Sequence, residues 1–128
     1  MTKVLVVEDN ADARVLMKSI LKQEHLDVVV AKDGIEGLER ARSECPDLII
    51  TDISMPRLTG GEMIRKLRES PEHKHVPILA VTAYRIERAM EAIKAGASRA
   101  LARPFENHLL LVFVNDLLKM ARPASNNN

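Results

Sequence analysis

The chain of 128 residues holds a single cysteine, Cys45, so no disulfide can close within it. Cys45 stands between Glu44 and Pro46, with no histidine or lysine beside it to lower its pKa, which suits a structural or incidental thiol. Long apolar runs are missing as well. The longest, at residues 109–114, is far short of the ~20 residues that cross a bilayer, and no membrane association is expected. The N-terminus enters Val4, Leu5, Val6 and Val7 and then acid, without the basic and apolar zones of a secretory signal, so a cytoplasmic location is expected. Neither sign of charge prevails: 19 basic and 18 acidic residues leave a formal +1, which gives no global pull toward nucleic acid or anionic lipid. No Gly-rich phosphate loop follows the first apolar run, where Glu8 and Asp9 would repel a nucleotide.

What is present reads as one ordinary globular domain. Hydrophobic residues make up 46% and charged residues 29% of the chain, and its length can bury a core without disulfide or metal staples. Four β-branched or aliphatic runs, at 4–7, 28–30, 48–50 and 78–81, are continuous rather than alternating, as in strands buried on both faces. Between them lie stretches of helical spacing. Leu16, Met17, Ile20 and Leu21 predict one apolar stripe, and further helices are expected around 35–41, 63–67, 86–95 and 109–120. Gly34, Pro46, Gly60, Gly61, Pro71, Pro77 and Gly96 fall near the expected element ends. Strand and helix alternating through connections too long for hairpins imply an α/β fold, a five-stranded parallel sheet with five helices on both faces. The fifth strand, near 100–102, is inferred mainly from its place in this rhythm. A domain over 1–121 is expected, and the polar residues 122–128, ending in three asparagines, are expected to be a disordered tail or linker stub.

In open parallel sheets ligands bind beyond the carboxyl ends of the strands. The polar residues placed there are few: Glu8 and Asp9 after the first run, Asp52 after the third, Thr82 at the end of the fourth. A single acid at a strand end is commonly just a solvated loop residue. Three on one edge repel one another unless a cation neutralises them, and a hard divalent ion such as Mg2+ does so while leaving positions for a phosphoryl oxygen. The pattern points to metal-assisted phosphoryl chemistry with a carboxylate nucleophile.

These residues resemble the bacterial response-regulator receiver family over about residues 2–121. The marks are Glu8-Asp9-Asn10, Asp52-Ile53-Ser54-Met55-Pro56 with Gly60, Val81-Thr82-Ala83, Ala95-Gly96-Ala97 and Arg103-Pro104-Phe105. The resemblance implies the flavodoxin-like doubly wound receiver fold. It further implies a two-component phosphorelay in which a sensor histidine kinase or phosphotransfer protein passes a phosphoryl group to Asp52. Asp9 and Asp52 would hold Mg2+ with the backbone carbonyl of Ser54, and Glu8 would act mostly through metal-bound water. Thr82 would hydrogen-bond a phosphoryl oxygen and carry the signal to the face of the fourth helix, fifth strand and fifth helix. The only chemistry expected is self-phosphotransfer and slow autodephosphorylation, not enzymatic turnover of an external substrate.

Two departures stand out. Arg103 replaces the lysine that usually precedes the proline, keeping the charge with a longer, planar group. Ala100 replaces the aromatic that usually rotates with the threonine. The peptide before Pro104 is expected to share the family's common cis form. A pseudo-receiver, a binding module of the same fold whose partner choice ignores phosphate, is the alternative. An aspartyl-phosphate phosphatase fits less well, because such enzymes place a second aspartate where Ser54 stands. In the last helix Leu110, Leu111, Val114, Leu117 and Leu118 form the expected buried stripe, which leaves Leu109, Val112 and Phe113 as a docking face for a second copy. Tyr84 borders the site as a half-exposed loop residue, the Met55-Pro56 turn is structural, and His25, His73 and His75 are expected to face water.

Overall fold

The computed structural model describes residues 1–55, 58–83 and 85–121. Expectations for Pro56, Tyr84 and the 122–128 tail lie outside the described residues. Strands and helices alternate as β1 (Lys3–Val7), α1 (Ala11–Lys22), β2 (Asp27–Ala31), α2 (Gly34–Glu44), β3 (Leu48–Asp52), α3 (Gly60–Glu69), β4 (Ile78–Thr82), α4 (Ile86–Ala95), β5 (Arg99–Ala102) and α5 (Asn107–Ala121). All pairings are parallel, in the order β2-β1-β3-β4-β5. This is the expected doubly wound sheet, including the fifth strand, whose Ala100 pairs with Ala80.

The continuous apolar runs are explained by two cores. Side chains alternate along a strand, so Val4 and Val6 face one layer while Leu5 and Val7 face the other. Val4, Val6, Leu48, Ile50, Leu79 and Val81 pack with α1 through Met17, Ile20 and Leu21, and with α5 through Leu110, Val114 and Leu117. Leu5, Val7, Ile49, Ile78 and Ala80 pack with Ala41 of α2, Met63, Ile64 and Leu67 of α3, and Ala92 and Ala95 of α4. Among the described residues no helix is long and apolar enough to cross a membrane.

The first three helices start on short polar capping side chains. Asn10 Oδ1 accepts the Ala13 N–H at 2.9 Å, Asp33 accepts that of Glu36 at 2.8 Å, and Thr59 and Glu62 form a reciprocal capping box. Gly60 is required by close approach: a Cβ there would lie 2.8 Å from Ile53 Cα, so only glycine lets α3 start against the end of β3.

Three expectations are corrected. Leu16 is 59% exposed, and the buried stripe of α1 is Met17, Ile20 and Leu21. Leu16 lies at the edge of that arc, where α1 turns away from the sheet. His73 is buried, with Nε2 2.9 Å from the Ala41 carbonyl and Nδ1 3.3 Å from Ser70 Oγ. The loop after α3 folds inward there instead of presenting its histidine to water, while His25 and His75 are exposed. Phe113 does not stand out with Leu109 and Val112. One helical turn from both Leu110 and Leu117, it is half-buried against the core, and the Arg99 guanidinium covers its ring at 4.4 Å.

Candidate functional site

Parallel register brings the polar strand ends to one edge. Val7 pairs with Thr51, Asp52 with Val81, and Thr82 with Ala102. Glu8 and Asp9 after β1, Asp52 at the end of β3, Thr82 at the end of β4 and Arg103 just after β5 are thus neighbours in space. One carboxylate oxygen from each of Glu8, Asp9 and Asp52 lies within 4.8 Å of the others.

The three acids are not equivalent. Asp9 is exposed, whereas Glu8 is buried and the Asp52 side chain is 11% exposed. The Glu8 amide donates to the Ala31 carbonyl at 3.0 Å, and its own carbonyl accepts from Arg14 Nη1 at 2.7 Å. Its Oε2 accepts the Asn10 N–H at 3.0 Å, and its Oε1 is ion-paired with Arg103 Nη2. Asp52 Oδ1 accepts the Ser54 N–H at 3.2 Å and lies 3.6 Å from Arg103 Nη1. One guanidinium therefore spans two carboxylates.

Burial raises the Glu8 carboxyl above the usual carboxylate range. The Asn10 N–H opposes this, the Asp52 charge adds to it, and Arg103 offsets part of it. Asp52 is also raised, again chiefly by burial, with the Ser54 N–H and then Arg103 pulling down and the Asp9 charge pushing up. Glu8 and Asp52 thus sit in a setting that disfavours their joint ionisation and gains from an added cation.

Thr82 closes the site from β4. It is 1% exposed, and its hydroxyl has no hydrogen-bond partner among the described residues. Burying such a group unsatisfied costs about 1–3 kcal/mol, so an unpaired hydroxyl is one that a ligand oxygen would satisfy. The donor set is all oxygen, as hard cations require. Residues and chemistry fit a divalent ion with a phosphoryl group beside it.

The structure brings Glu8, Asp9, Asp52, Thr82 and Arg103 together, with Ser54 adjoining Asp52. The Arg103-Pro104 peptide is cis, and the Arg103 N–H donates to the Thr82 carbonyl at 2.8 Å. Sequence reasoning missed Arg14, whose contact with the Glu8 carbonyl depends on the entry angle of α1, and it did not anticipate that Arg103 would reach Glu8.

Comparison with known proteins agrees with this geometry. Residues 4–115 match the response regulator receiver domain family. The chain is 38% identical over 120 residues to hybrid signal transduction histidine kinase D of Dictyostelium discoideum, covering 93% of this chain and 8% of that protein. It is 35% identical over 101 residues to the polar-differentiation response regulator DivK of Brucella ovis, covering 78% of this chain and 82% of that one. The chemotaxis protein CheY4 of Vibrio cholerae superposes with a TM-score of 0.86 at 33% identity, over 91% of this chain and 98% of the other. The receiver domain of a Pseudomonas aeruginosa sensor histidine kinase, with a magnesium ion coordinated in its active site cleft, gives 0.86 at 28% identity, over 92% and 98%. The chain belongs to the response-regulator receiver family.

Proposed function

We propose that this chain is a phosphorylation switch in a two-component phosphorelay, with residues 1–121 as the receiver domain and Asp52 as the phosphoacceptor. The reading rests above all on one observation: Asp52 ends β3 beside two further acids and near the buried hydroxyl of Thr82, which has no partner among the described residues. A sensor histidine kinase or phosphotransfer protein is the proposed donor. The bond from phosphorus to the donor nitrogen breaks as a bond to an Asp52 carboxylate oxygen forms.

Mg2+ held by Asp9, Asp52 and the Ser54 carbonyl, with Glu8 acting through bound water, would neutralise the charge of the transferring group. The chain's own residues do the rest. The Ser54 N–H orients Asp52, the Thr82 hydroxyl binds a phosphoryl oxygen, and Arg103 offers a cation to another. Thr82 moving inward draws on β4, and Ala100 on the neighbouring strand brings no bulky side chain to follow it. Output at the α4, β5 and α5 face then depends on backbone movement. Leu109 and Val112, exposed on α5, mark a contact with a second copy. The setting proposed is cytoplasmic, without direct contact with nucleic acid or membrane.

Incubation with Mg2+ and acetyl phosphate, followed by intact mass, tests the proposal. A gain of one phosphoryl group that Asp52→Asn abolishes supports it. No gain, together with no response to beryllium fluoride, favours the second reading, a phosphate-independent binding module. That reading draws on Arg103, whose engagement with Glu8 differs from a lysine reserved for the phosphoryl group.

A further inference from the structure

We infer that Arg103 is a built-in counter-ion that competes with the metal for Glu8, so that loading the acidic site requires its guanidinium to release that carboxylate. The inference rests on the reading of Glu8, Asp9 and Asp52 as a divalent-metal site and adds how occupancy of that site is controlled.

The argument begins with Glu8. Its side chain is 4% exposed, and each of its oxygens already has a partner: Oε2 the Asn10 N–H, Oε1 the Arg103 guanidinium. Only Oε1 is held by a mobile group, since Asn10 Oδ1 caps α1 and fixes the backbone at that point. A metal-bound water seeking Glu8 therefore meets Arg103. The guanidinium also stands 3.6 Å from Asp52, so its positive charge lies among the carboxylates that would draw in a divalent ion, and like charges in a half-buried site repel strongly.

The planar fork divides the two contacts: one terminal nitrogen rests on Glu8 while the other faces Asp52, so a single rigid group holds both carboxylates. Release is also feasible. The Arg103 backbone is tied to the Thr82 carbonyl at 2.8 Å, but its side chain is 36% exposed and has room to swing. Metal entry frees the guanidinium from Glu8 and leaves it beside Asp52, where a phosphoryl group would arrive. Arg103 thus has two stations, and occupancy of the metal site selects between them.

Direct metal binding tests this without any phosphotransfer. Mg2+ is titrated by calorimetry, and Mn2+ by the loss of its free-ion magnetic resonance signal, into wild type, Arg103→Gln and Arg103→Lys, with melting recorded in chelator. Arg103→Gln is expected to bind both ions on the order of tenfold tighter and to melt lower in chelator, because Glu8 has lost its partner. Arg103→Lys, which keeps the charge should the neutral variant fail to fold, is expected to fall between. In wild type, Mg2+ should also shift the side-chain Nε resonance of Arg103. Equal or weaker metal binding by both variants overturns the inference while leaving the metal site standing. Failure of all three proteins to bind either ion at high millimolar concentration overturns the metal site itself, and the inference with it.

Discussion

The Arg68 guanidinium, reaching from α3, donates from Nε to the carbonyl of Gly96 at 2.9 Å, where α4 ends. Its Nη1 donates to the carbonyls of Val76 at 2.7 Å and His73 at 3.0 Å, so one side chain ties the ends of α3 and α4 to the loop that enters β4. Gly96 itself has φ 122°, a conformation glycine adopts without strain, and its missing Cβ leaves room for the Arg68 stem, whose Cγ would lie 2.7 Å from such an atom. Arg68→Ala is expected to cost about 2 kcal/mol, since several carbonyls lose a charged donor at once. Arg68→Lys should recover only part of this, having no fork. Chemical denaturation of the three proteins checks the order; equal midpoints would show that solvent replaces the guanidinium at no cost.

None of that network was legible in the sequence, and the reason is general. Periodicity reports which face of an element is apolar, and it located β1, β3 and β4 because their side chains enter two cores. It does not report what lies across the gap. Arg68 looks like any basic residue in the last turn of an amphipathic helix, and His73 like a loop histidine, until the fold brings Gly96 and Ala41 beside them. Leu16 shows the same limit: spacing placed it in the stripe, but the width of the buried arc depends on the neighbouring α5. The acids at the sheet edge were legible because topology alone puts the residues after β1, β3 and β4 on one side. The grip of Arg103 on Glu8 was not, because it depends on side-chain reach.

The raised carboxyls at the sheet edge carry a pH dependence of stability. Glu8 and Asp52 hold their protons more tightly folded than unfolded, mainly through burial. Their contribution to stability is therefore fully present below about pH 4, the range of the unfolded carboxyls, and is lost as pH rises through the folded values. Asp52→Asn removes one of the two charges. In chelator, its melting temperature should match wild type in acid and exceed it by a few degrees at neutral pH. Glu44 and Glu62, whose carboxyls are lowered by Lys3 and by the Thr59 amide, titrate in the opposite sense but alike in both proteins, so the difference isolates the site. Parallel curves across the range would contradict the assignment.

On α5, Leu109 is 41% exposed and Val112 37%, three residues apart on one flank, while Phe113 is tied to Arg99. The proposed self-association surface is best probed at Val112, because Phe113→Glu would also disturb the core. Val112→Glu places a charge on that flank at little cost to folding and should weaken any dimer about tenfold, since roughly 1.4 kcal/mol corresponds to that factor. Sedimentation velocity over a wide concentration range distinguishes the cases. Wild type that stays monomeric throughout would remove this surface from consideration.

Thr82 separates the demands of folding from those of signalling. Its hydroxyl is buried and unpaired among the described residues, so the fold bears a cost that valine, of nearly the same shape, would not. Thr82→Val should therefore be more stable than wild type by about 1 kcal/mol, read as a higher denaturation midpoint with unchanged slope. The same variant should still gain a phosphoryl group at Asp52. It should fail, however, to transmit the change: amide resonances of α4, β5 and α5 that move in wild type on adding Mg2+ and beryllium fluoride should stay near their starting positions. A variant that is less stable would mean the hydroxyl is satisfied within the fold. One that is more stable yet moves the same resonances would mean the signal leaves Asp52 by a path that does not use Thr82, with Arg103 the remaining cation able to carry it.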